Sequence, residues 1–197
     1  MRLFRSRSPF ARVATVVAFI LPSPLVGAAV PTSAADQGQA AVAIPHGRLA
    51  IGDSVMLGAA EELRGRGIRV DALVSRQFST APGIVRSYRA RGRLPRHLVI
   101  GLGTNGTLTP DLCRQTVRAA RHRAVFFVNV RVPRSWQAGN NQLLHACAHH
   151  FRRAHLIDWH RRSRGHPGWF ASDGYHLTSV GQHHYARLVG ARVSAAS

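Results

Sequence analysis

The sequence predicts an α/β fold, a three-layer α/β/α sandwich built on a five-stranded parallel sheet. Two observations lead to this prediction. Five short apolar runs alternate with five helix-like segments after residue 47, a pattern typical of a parallel sheet covered by helices. The runs LVI and AVFFVNV are apolar almost throughout, as expected for strands that are buried on both faces. No internal repeat and no second domain interrupt this pattern.

The elements follow in chain order from the apolar spacing. Strands are expected at residues 48–51, 68–74, 97–102, 124–130 and 155–159. Helices are expected near residues 55–64, 84–90, 110–122, 141–151 and 179–193. The third helix has the clearest start, because Thr109 is suited to the N-cap and Pro110 to the first helical position. Residues 161–173, rich in Arg, Gly, His and Pro, are expected to form a loop.

The amino-terminal residues are predicted to be a targeting segment and not part of the fold. Residues 1–35 combine a basic start, an apolar run over residues 13–21 and two prolines, which is typical of an export signal. The apolar run is short for a membrane span, so we expect cleavage, after Ala28, Ala29 or Ala35, with a retained anchor as the alternative. Residues 36–47 are then a short tail and residues 48–197 a single domain, secreted or held in the cell envelope.

The charge balance points to anionic partners. The 197 residues carry 27 basic side chains, all of them arginine, against 8 acidic ones. Residues 1–35 contain four arginines and no acid, so their removal lowers the formal net charge from +19 to +15. Such a surface attracts polyanions, and an anionic cell-wall polymer or a membrane surface is the expected partner. Nucleic acid is not expected, because no recognition helix, RRM or zinc-knuckle pattern is present.

Two polar segments are predicted to meet at one edge of the sheet. A doubly wound sheet commonly has the strand order 2-1-3-4-5, which makes strands 1 and 3 neighbours at the point where the order reverses. Gly52-Asp53-Ser54 follows strand 1, and GLGTNG, residues 101–106, follows strand 3. Handedness of the crossovers brings the loop before the last helix, ASDGYHLTSVGQ, to the same place.

These segments hold the residue types that acyl transfer by serine requires. Ser54 is the candidate nucleophile, His176 the base and Asp173, three residues earlier, the group that could hold the imidazole Nδ1. Asn105 could donate its amide N–H to an oxyanion, and Gly103 allows a close backbone approach.

A purely structural role is the alternative for each of these residues. Ser54 could cap a helix, while Asn105 and Asp173 could form turns. We expect Asp53 to brace the loop through backbone N–H groups and to take no part in the chemistry.

The ordered set GDS, GTN and DGYH resembles the SGNH (GDSL-type) hydrolases, whose fold is flavodoxin-like. More narrowly, AIGDSVMLGA, NVRVPRSWQAGNNQLL and the segment around DGYHLTSVGQHHYARLV are similar to the extracytoplasmic SGNH domain of acyltransferases that O-acetylate peptidoglycan and other glycans. The likeness covers residues 48–193. It implies Ser54 as nucleophile, His176 as base and Asp173 as its partner.

The resemblance also implies an oxyanion hole and nearby substrate contacts. Asn105 and the Ser54 backbone N–H would be donors, and Ser75 stands in VSRQ where the family has a glycine whose N–H is the third donor. Trp136 and Asn141 match the family pattern. Trp136 could border the acyl or sugar site or simply pack. Arg76 and Gln77 could contact substrate or brace the loop after strand 2. The membrane domain that accompanies the family's transferases has no counterpart in this sequence.

The predicted function is that of an exported serine esterase for short-chain, acetyl esters of a cell-wall or extracellular glycan. An O-acyltransferase supplied by a separate membrane protein is the first alternative, and a non-catalytic glycan- or anion-binding domain the second. A monomer is expected, and the chemistry requires no metal or organic cofactor.

The histidines and cysteines outside this set leave simpler interpretations open. His145 and His149 are one helical turn apart, but no HExxH or paired CxxC pattern is present, so a metal site is not expected. Cys113 and Cys147 fall on the apolar faces of neighbouring helices and could form a disulfide or remain two buried thiols.

Overall fold

The computed structural model describes residues 47–196. Its strands are β1 (Arg48–Gly52), β2 (Ile68–Ala72), β3 (His97–Gly101), β4 (Ala124–Val128) and β5 (Ala154–Ile157). Its helices are α1 (Ser54–Gly58), α2 (Ala60–Arg64), α3 (Ala81–Ala90), α4 (Pro110–Ala120), α5 (Gln137–His150), α6 (Trp159–Arg162) and α7 (Ser179–Ser194). One-turn 3₁₀ helices lie at Phe78–Thr80 and Pro167–Trp169. The predicted export signal, residues 1–35, and residues 36–46 of the predicted tail lie outside the described residues.

The sheet has the order β2-β1-β3-β4-β5, and every pair is parallel, as predicted. Gly52 at the end of β1 pairs in register with Ala72 of β2 and Gly101 of β3. The loops that follow these three strands therefore start at the same height on the carboxyl edge of the sheet, with the loop after β1 in the middle.

Each face of the sheet carries its own apolar core, which confirms the three-layer architecture. Side chains alternate along β1, so that Leu49 and Ile51 face one layer and Ala50 faces the other. The first layer contains α3, α4 and α5, and the second contains α1, α2 and α7. Fully buried aliphatic side chains such as Ile51 each contribute about 1.5–3 kcal/mol to folding. The position of α7 beside α1 is the arrangement that the handedness of the crossovers predicts.

The structure differs from the sequence-based prediction mainly at element ends. The predicted first helix is two short helices that meet at Ala59, directly after Gly58, because glycine weakens a helix interior. Trp159, predicted to end the last strand, instead begins α6, since the Asp158 carboxylate accepts the backbone N–H of Arg161 and caps a new turn. The predicted loop at residues 161–173 thus contains the end of α6 and one of the 3₁₀ turns.

The two cysteines are joined in a disulfide. Cys113 of α4 and Cys147 of α5 are bonded, with their Cα atoms 6.4 Å apart. This decides between the two alternatives that the sequence leaves open. Within residues 47–196, no helix combines the length and apolar character that a bilayer span requires.

Candidate active site

Ser54 is placed at the carboxyl edge of the sheet by the two residues before it. A side chain at Gly52 would collide with Met56 of the following helix, so glycine lets α1 pack directly on the strand end. Asp53 is the N-cap of α1, and its Oδ1 accepts the Val55 backbone N–H at 3.0 Å. The cap is therefore Asp53, which leaves the Ser54 hydroxyl at the first helical position for another partner.

That partner is His176, which lies 122 residues later in the chain. Ser54 Oγ is 3.0 Å from His176 Nε2, and His176 Nδ1 is 2.6 Å from Asp173 Oδ2. The serine hydroxyl, both imidazole nitrogens and one carboxylate oxygen thus form a continuous chain of hydrogen bonds. In this arrangement the imidazole can accept the serine proton while the carboxylate holds the ring orientation.

Asp173 is held as an anion by the turn in which it lies. Its Oδ1 accepts the backbone N–H groups of Tyr175 and His176, both at 3.0 Å. Desolvation opposes ionisation, but the hydrogen bonds from the His176 ring and from these two N–H groups outweigh it and lower the pKa of Asp173 to about 2. The carboxylate therefore remains charged at neutral pH.

The loop that carries His176 is anchored at the start of α7. Thr178 donates its backbone N–H to the carbonyl of Trp169 at 3.0 Å and its hydroxyl to that of Gly168 at 2.8 Å. Gly181 sits directly against the Trp169 carbonyl, where a Cβ would overlap it. The His176 carbonyl accepts the Ala171 N–H at 2.8 Å, closing the loop on itself. These contacts fix the imidazole position without involving the side chain of His176.

Asp53 also connects Ser54 to the neighbouring strand. Its Oδ2 accepts the backbone N–H of Thr104, in the loop after β3, at 3.3 Å. The carboxylate is 1% exposed, and this burial raises the pKa of Asp53, while hydrogen bonds from Thr104 and Val55 lower it. Its contacts agree with the expected bracing role.

Asn105 faces the loop that follows β2. Its amide Nδ2 donates to the backbone carbonyl of Arg76 at 3.3 Å. The loops after β2 and β3 are thereby joined beside the Ser54 loop. Ser75 has a φ of 58°, in the left-handed region that favours glycine, and it occupies the position at which the resemblance implies a glycine. The backbone thus adopts this conformation with a serine side chain present.

The contacts of Arg76 favour the bracing alternative over substrate contact. Its guanidinium donates to the Asp71 backbone carbonyl at 2.6 Å and to Asp71 Oδ1 at 2.8 Å. The other carboxylate oxygen of Asp71 accepts the Tyr88 hydroxyl at 3.0 Å. Gln77 is exposed and begins the 3₁₀ turn at Phe78–Thr80, so its side chain remains available to a ligand.

Gly103 and Trp136 support the loop that holds Asn105. A Cβ on Gly103 would lie 2.7 Å from Val130 Cγ1. A larger residue at position 103 would therefore push the loop after β3 away from the loop after β4. The Trp136 indole donates to the Thr104 carbonyl at 3.2 Å. Trp136 therefore packs against the Asn105 loop, and the structure records no direct bond from it to Ser54 or His176.

Asn140 is a site-supporting residue that the sequence reasoning missed. It is completely buried in α5, donates to the carbonyls of Gly103 and Gly106, and accepts the N–H of Leu108. The adjacent Asn141 holds the loop after β4, because its side chain accepts the Val130 N–H and donates to the Val130 carbonyl. Asparagine has a low propensity for helix interiors, so two adjacent asparagines in a helix were the sequence signal that could have indicated side chains bonded to neighbouring loops.

The fold and the bonded Ser54–His176–Asp173 set are those expected of the SGNH hydrolases that the sequence resembles. The comparisons agree. The chain is 37% identical over 135 residues to a putative peptidoglycan O-acetyltransferase of Bacillus subtilis, YrhL, and 35% identical over 136 residues to the O-acetyltransferase OatA of Staphylococcus aureus. Each match covers 68% of this chain but only 21% and 23% of the relative, so the chain spans about a fifth of their length. No family model matches.

Solved structures show the same fold. The C-terminal catalytic domain of OatA from Streptococcus pneumoniae superposes with a TM-score of 0.71 at 24% identity, covering 78% of this chain and 95% of that domain. A family 3 carbohydrate esterase from Talaromyces cellulolyticus gives a TM-score of 0.60 at 15% identity, covering 77% and 98%. The resemblance stated from the sequence is confirmed: the chain is a homologue of peptidoglycan O-acetyltransferases and has the SGNH hydrolase fold.

Proposed function

We propose that this chain is an extracytoplasmic SGNH-type serine enzyme that cleaves acetyl esters through an acyl-Ser54 intermediate. The observation that carries the proposal is the 3.0 Å contact between Ser54 Oγ and His176 Nε2, extended by the 2.6 Å contact to Asp173. A serine bonded to an imidazole that is itself oriented by a carboxylate is the arrangement that activates a hydroxyl as nucleophile.

The first half of the reaction forms the acyl-enzyme. Ser54 Oγ bonds to the ester carbonyl carbon as its proton passes to His176 Nε2, and Asp173 stabilises the imidazolium. The negative oxygen of the tetrahedral intermediate would accept the Asn105 amide and the backbone N–H groups of Ser54 and Ser75. The bond to the leaving alcohol then breaks, and His176 returns its proton to that oxygen.

The second half determines whether the enzyme is an esterase or a transferase. Water, deprotonated by His176, would attack the carbonyl carbon of acyl-Ser54. The bond from that carbon to Ser54 Oγ would break, His176 would return the proton to Oγ, and acetate would leave. A sugar hydroxyl in the same position would instead take the acyl group. We propose hydrolysis as the main activity, and transfer to a glycan hydroxyl as the second candidate, because the sequence relatives carry the name O-acetyltransferase.

The substrate proposed is an acetylated cell-wall glycan. Its support is the peptidoglycan in the names of the relatives and the carbohydrate esterases among the structures of the same fold. Under the transferase alternative, a separate membrane protein would supply the acyl groups.

Turnover of 4-nitrophenyl acetate by the purified chain tests the mechanism. We expect Ser54→Ala to lose at least about 10⁴-fold in kcat, because the remaining groups supply only binding and oxyanion stabilisation. Mass spectrometry should detect an acetyl group on Ser54 of the wild type, which adds about 42 Da, and no such adduct on the variant. Ser194→Ala, an exposed serine at the end of α7, is the matched control.

The same assay separates the two candidates. Added chitooligosaccharide should leave acetate release unchanged if water is the acceptor, and should divert the acetyl group to the sugar if transfer dominates. Equal turnover by the wild type and Ser54→Ala would refute the serine mechanism. Equal inertness of both folded proteins would favour the non-catalytic glycan-binding alternative.

A further inference from the structure

The edge of the sheet opposite Ser54 is strongly basic. Four loops lead into β2, β3, β4 and β5 at residues 65–67, 91–96, 121–123 and 151–153. More than half of their residues are arginine, and none is acidic. Because all five strands are parallel, these loops lie together at the amino edge of the sheet. We call the following six side chains the basic edge: Arg66, Arg96, Arg121, Arg123, Arg152 and Arg153.

The charge of the basic edge is not neutralised within the described residues. Of its six arginines, only Arg66 forms an ion pair, with Glu62 at 3.7 Å. Arg96, Arg121 and Arg152 are exposed. Burial lowers the pKa of His155, in β5, and the neighbouring His97 and Arg192 lower it further. Among the acidic residues of 47–196, Glu62 pairs with Arg66, Glu61 precedes it in α2, and Asp71 lines a cleft at β2. The other four follow the carboxyl ends of strands or precede α7: Asp53, Asp111, Asp158 and Asp173.

Two local features of the basic edge lower the stability of the folded protein. Arg121 has a φ of 56° and a ψ of −111°, a backbone conformation that glycine adopts readily and other residues adopt at a cost. The Nε atoms of Arg66 and Arg123 are buried and lack a hydrogen-bond partner within the described residues. Strained backbone positions and unpaired buried polar groups are concentrated at functional sites, so these two features motivate a search for a ligand at this edge.

The shape of the basic edge fits a linear anion. Adjacent strands are about 4.8 Å apart, so the loops from β2 to β5 extend over about 19 Å in one row. A cleft of about 530 Å³, lined in part by Arg69, Arg91 and Arg93, continues the row at β2. Guanidinium groups bind phosphate oxygens in a bidentate manner, so spaced phosphates suit spaced arginines.

Insertion into a lipid bilayer is not supported at this edge. The large apolar side chains that are exposed within the described residues are Leu57, Leu73, Val74 and Val180. They follow Ser54, β2 and His176, at the carboxyl edge of the sheet. The basic edge therefore offers charge without an apolar anchor, which favours a hydrated polymer over a membrane.

We propose that the basic edge is a docking surface for a linear, phosphate-bearing polyanion of the phosphodiester or polyphosphate type. Five-residue strands separate the two edges by about 17 Å, so a bound polymer would leave the Ser54 edge free and facing away from it. The proposal is independent of the proposed ester chemistry.

Binding of fluorescently labelled linear polyphosphate to the full chain, measured by anisotropy at several salt concentrations, tests this proposal. The variant Arg96→Gln/Arg121→Gln/Arg152→Gln should bind about tenfold more weakly. The slope of log affinity against log salt concentration should become smaller in magnitude by about 2, because each of the three lost phosphate contacts contributes about 0.7. The control Arg86→Gln/Arg164→Gln/Arg187→Gln removes the same charge from exposed arginines elsewhere and should change affinity less than about threefold.

Three outcomes would overturn the proposal. Equal weakening by both triple variants would mean that net charge alone attracts the polymer. Edge-dependent binding to phosphatidylglycerol vesicles that exceeds binding to polyphosphate would make a membrane the partner. No measurable binding by the wild type would refute a docking surface. Unchanged thermal unfolding of both variants is required for the comparison, and unchanged ester turnover would show that the two edges are separate.

Discussion

The two edges of the sheet are built from the same strands but are organised differently. At the carboxyl edge, buried or partly buried polar side chains bond backbone groups of neighbouring loops, as Asp53 and Asn140 do. At the amino edge, loops of a few residues carry exposed arginines with few partners. Catalysis requires loops fixed to a fraction of an ångström, whereas attraction of a polyanion requires only charge in the right region.

Backbone positions with positive φ also occur at both edges of the sheet. Within the described residues, the non-glycine residues with positive φ are Ser75, at the carboxyl edge, and Arg121, at the amino edge. Each edge therefore contains one backbone position where glycine would be more stable. We interpret both as positions at which a side chain or an N–H direction was retained at a cost in stability.

Loss of the disulfide should have the largest effect on stability and leave both edges working. Cys113 and Cys147 are 34 residues apart, and a loop of that length stabilises the folded state by about 4 kcal/mol. The double variant Cys113→Ala/Cys147→Ala should unfold at correspondingly lower denaturant concentration.

Below the unfolding transition, this double variant should keep wild-type ester turnover and polyphosphate affinity, because the bond joins α4 and α5 within the apolar layer on one face of the sheet. A fall in turnover without unfolding would show that the disulfide positions the site.

Asn105→Ala should damage the carboxyl edge alone. Removing one oxyanion donor typically lowers kcat about 10²–10³-fold, with a much smaller effect on KM. Steady-state kinetics with 4-nitrophenyl acetate measure this split. Thr107→Ala, an exposed residue in the same loop, is the matched control. If Asn105→Ala turns over substrate like the control, Asn105 only braces the Arg76 carbonyl, and the proposed oxyanion role is wrong.

Acid should weaken the carboxyl edge through Asp173, the smallest of these effects. Its folded pKa of about 2 lies below its ordinary value of 3.8, so its contribution to stability is complete above pH 3.8 and is lost as pH falls through 2. Between about pH 5 and about pH 2, the temperature of thermal unfolding should therefore change less with pH in Asp173→Asn than in the wild type. Parallel curves would show that the Asp173 turn contributes nothing to acid stability.

Much of the site was accessible to sequence reasoning because its signals are local. Apolar alternation predicts strands and helices, and the strand order follows from general rules of doubly wound sheets, so Ser54, Asn105 and His176 could be assigned to one edge before any coordinates. The contact between Ser54 and His176 follows from that assignment although 122 residues separate them. The catalytic roles of these residues remain proposals that the kinetics above test.

Other features depend on contacts that no local pattern encodes. Arg76 could reach substrate or brace its loop, and its ion pair with Asp71 of the edge strand, which favours bracing, depends on how the two segments pack. Asn140 looks like an ordinary helix residue until α5 is packed against the loop after β3.

The α/β class, the strand order and the residues that gather at the carboxyl edge were predictable before folding was considered, because apolar periodicity and the handedness of crossovers act within short segments. The disulfide, the partners of Arg76 and Asn140, and the grouping of six arginines at the opposite edge became known only from the folded chain. These properties depend on which distant segments become neighbours, and packing of the helices on the two faces of the sheet sets that arrangement.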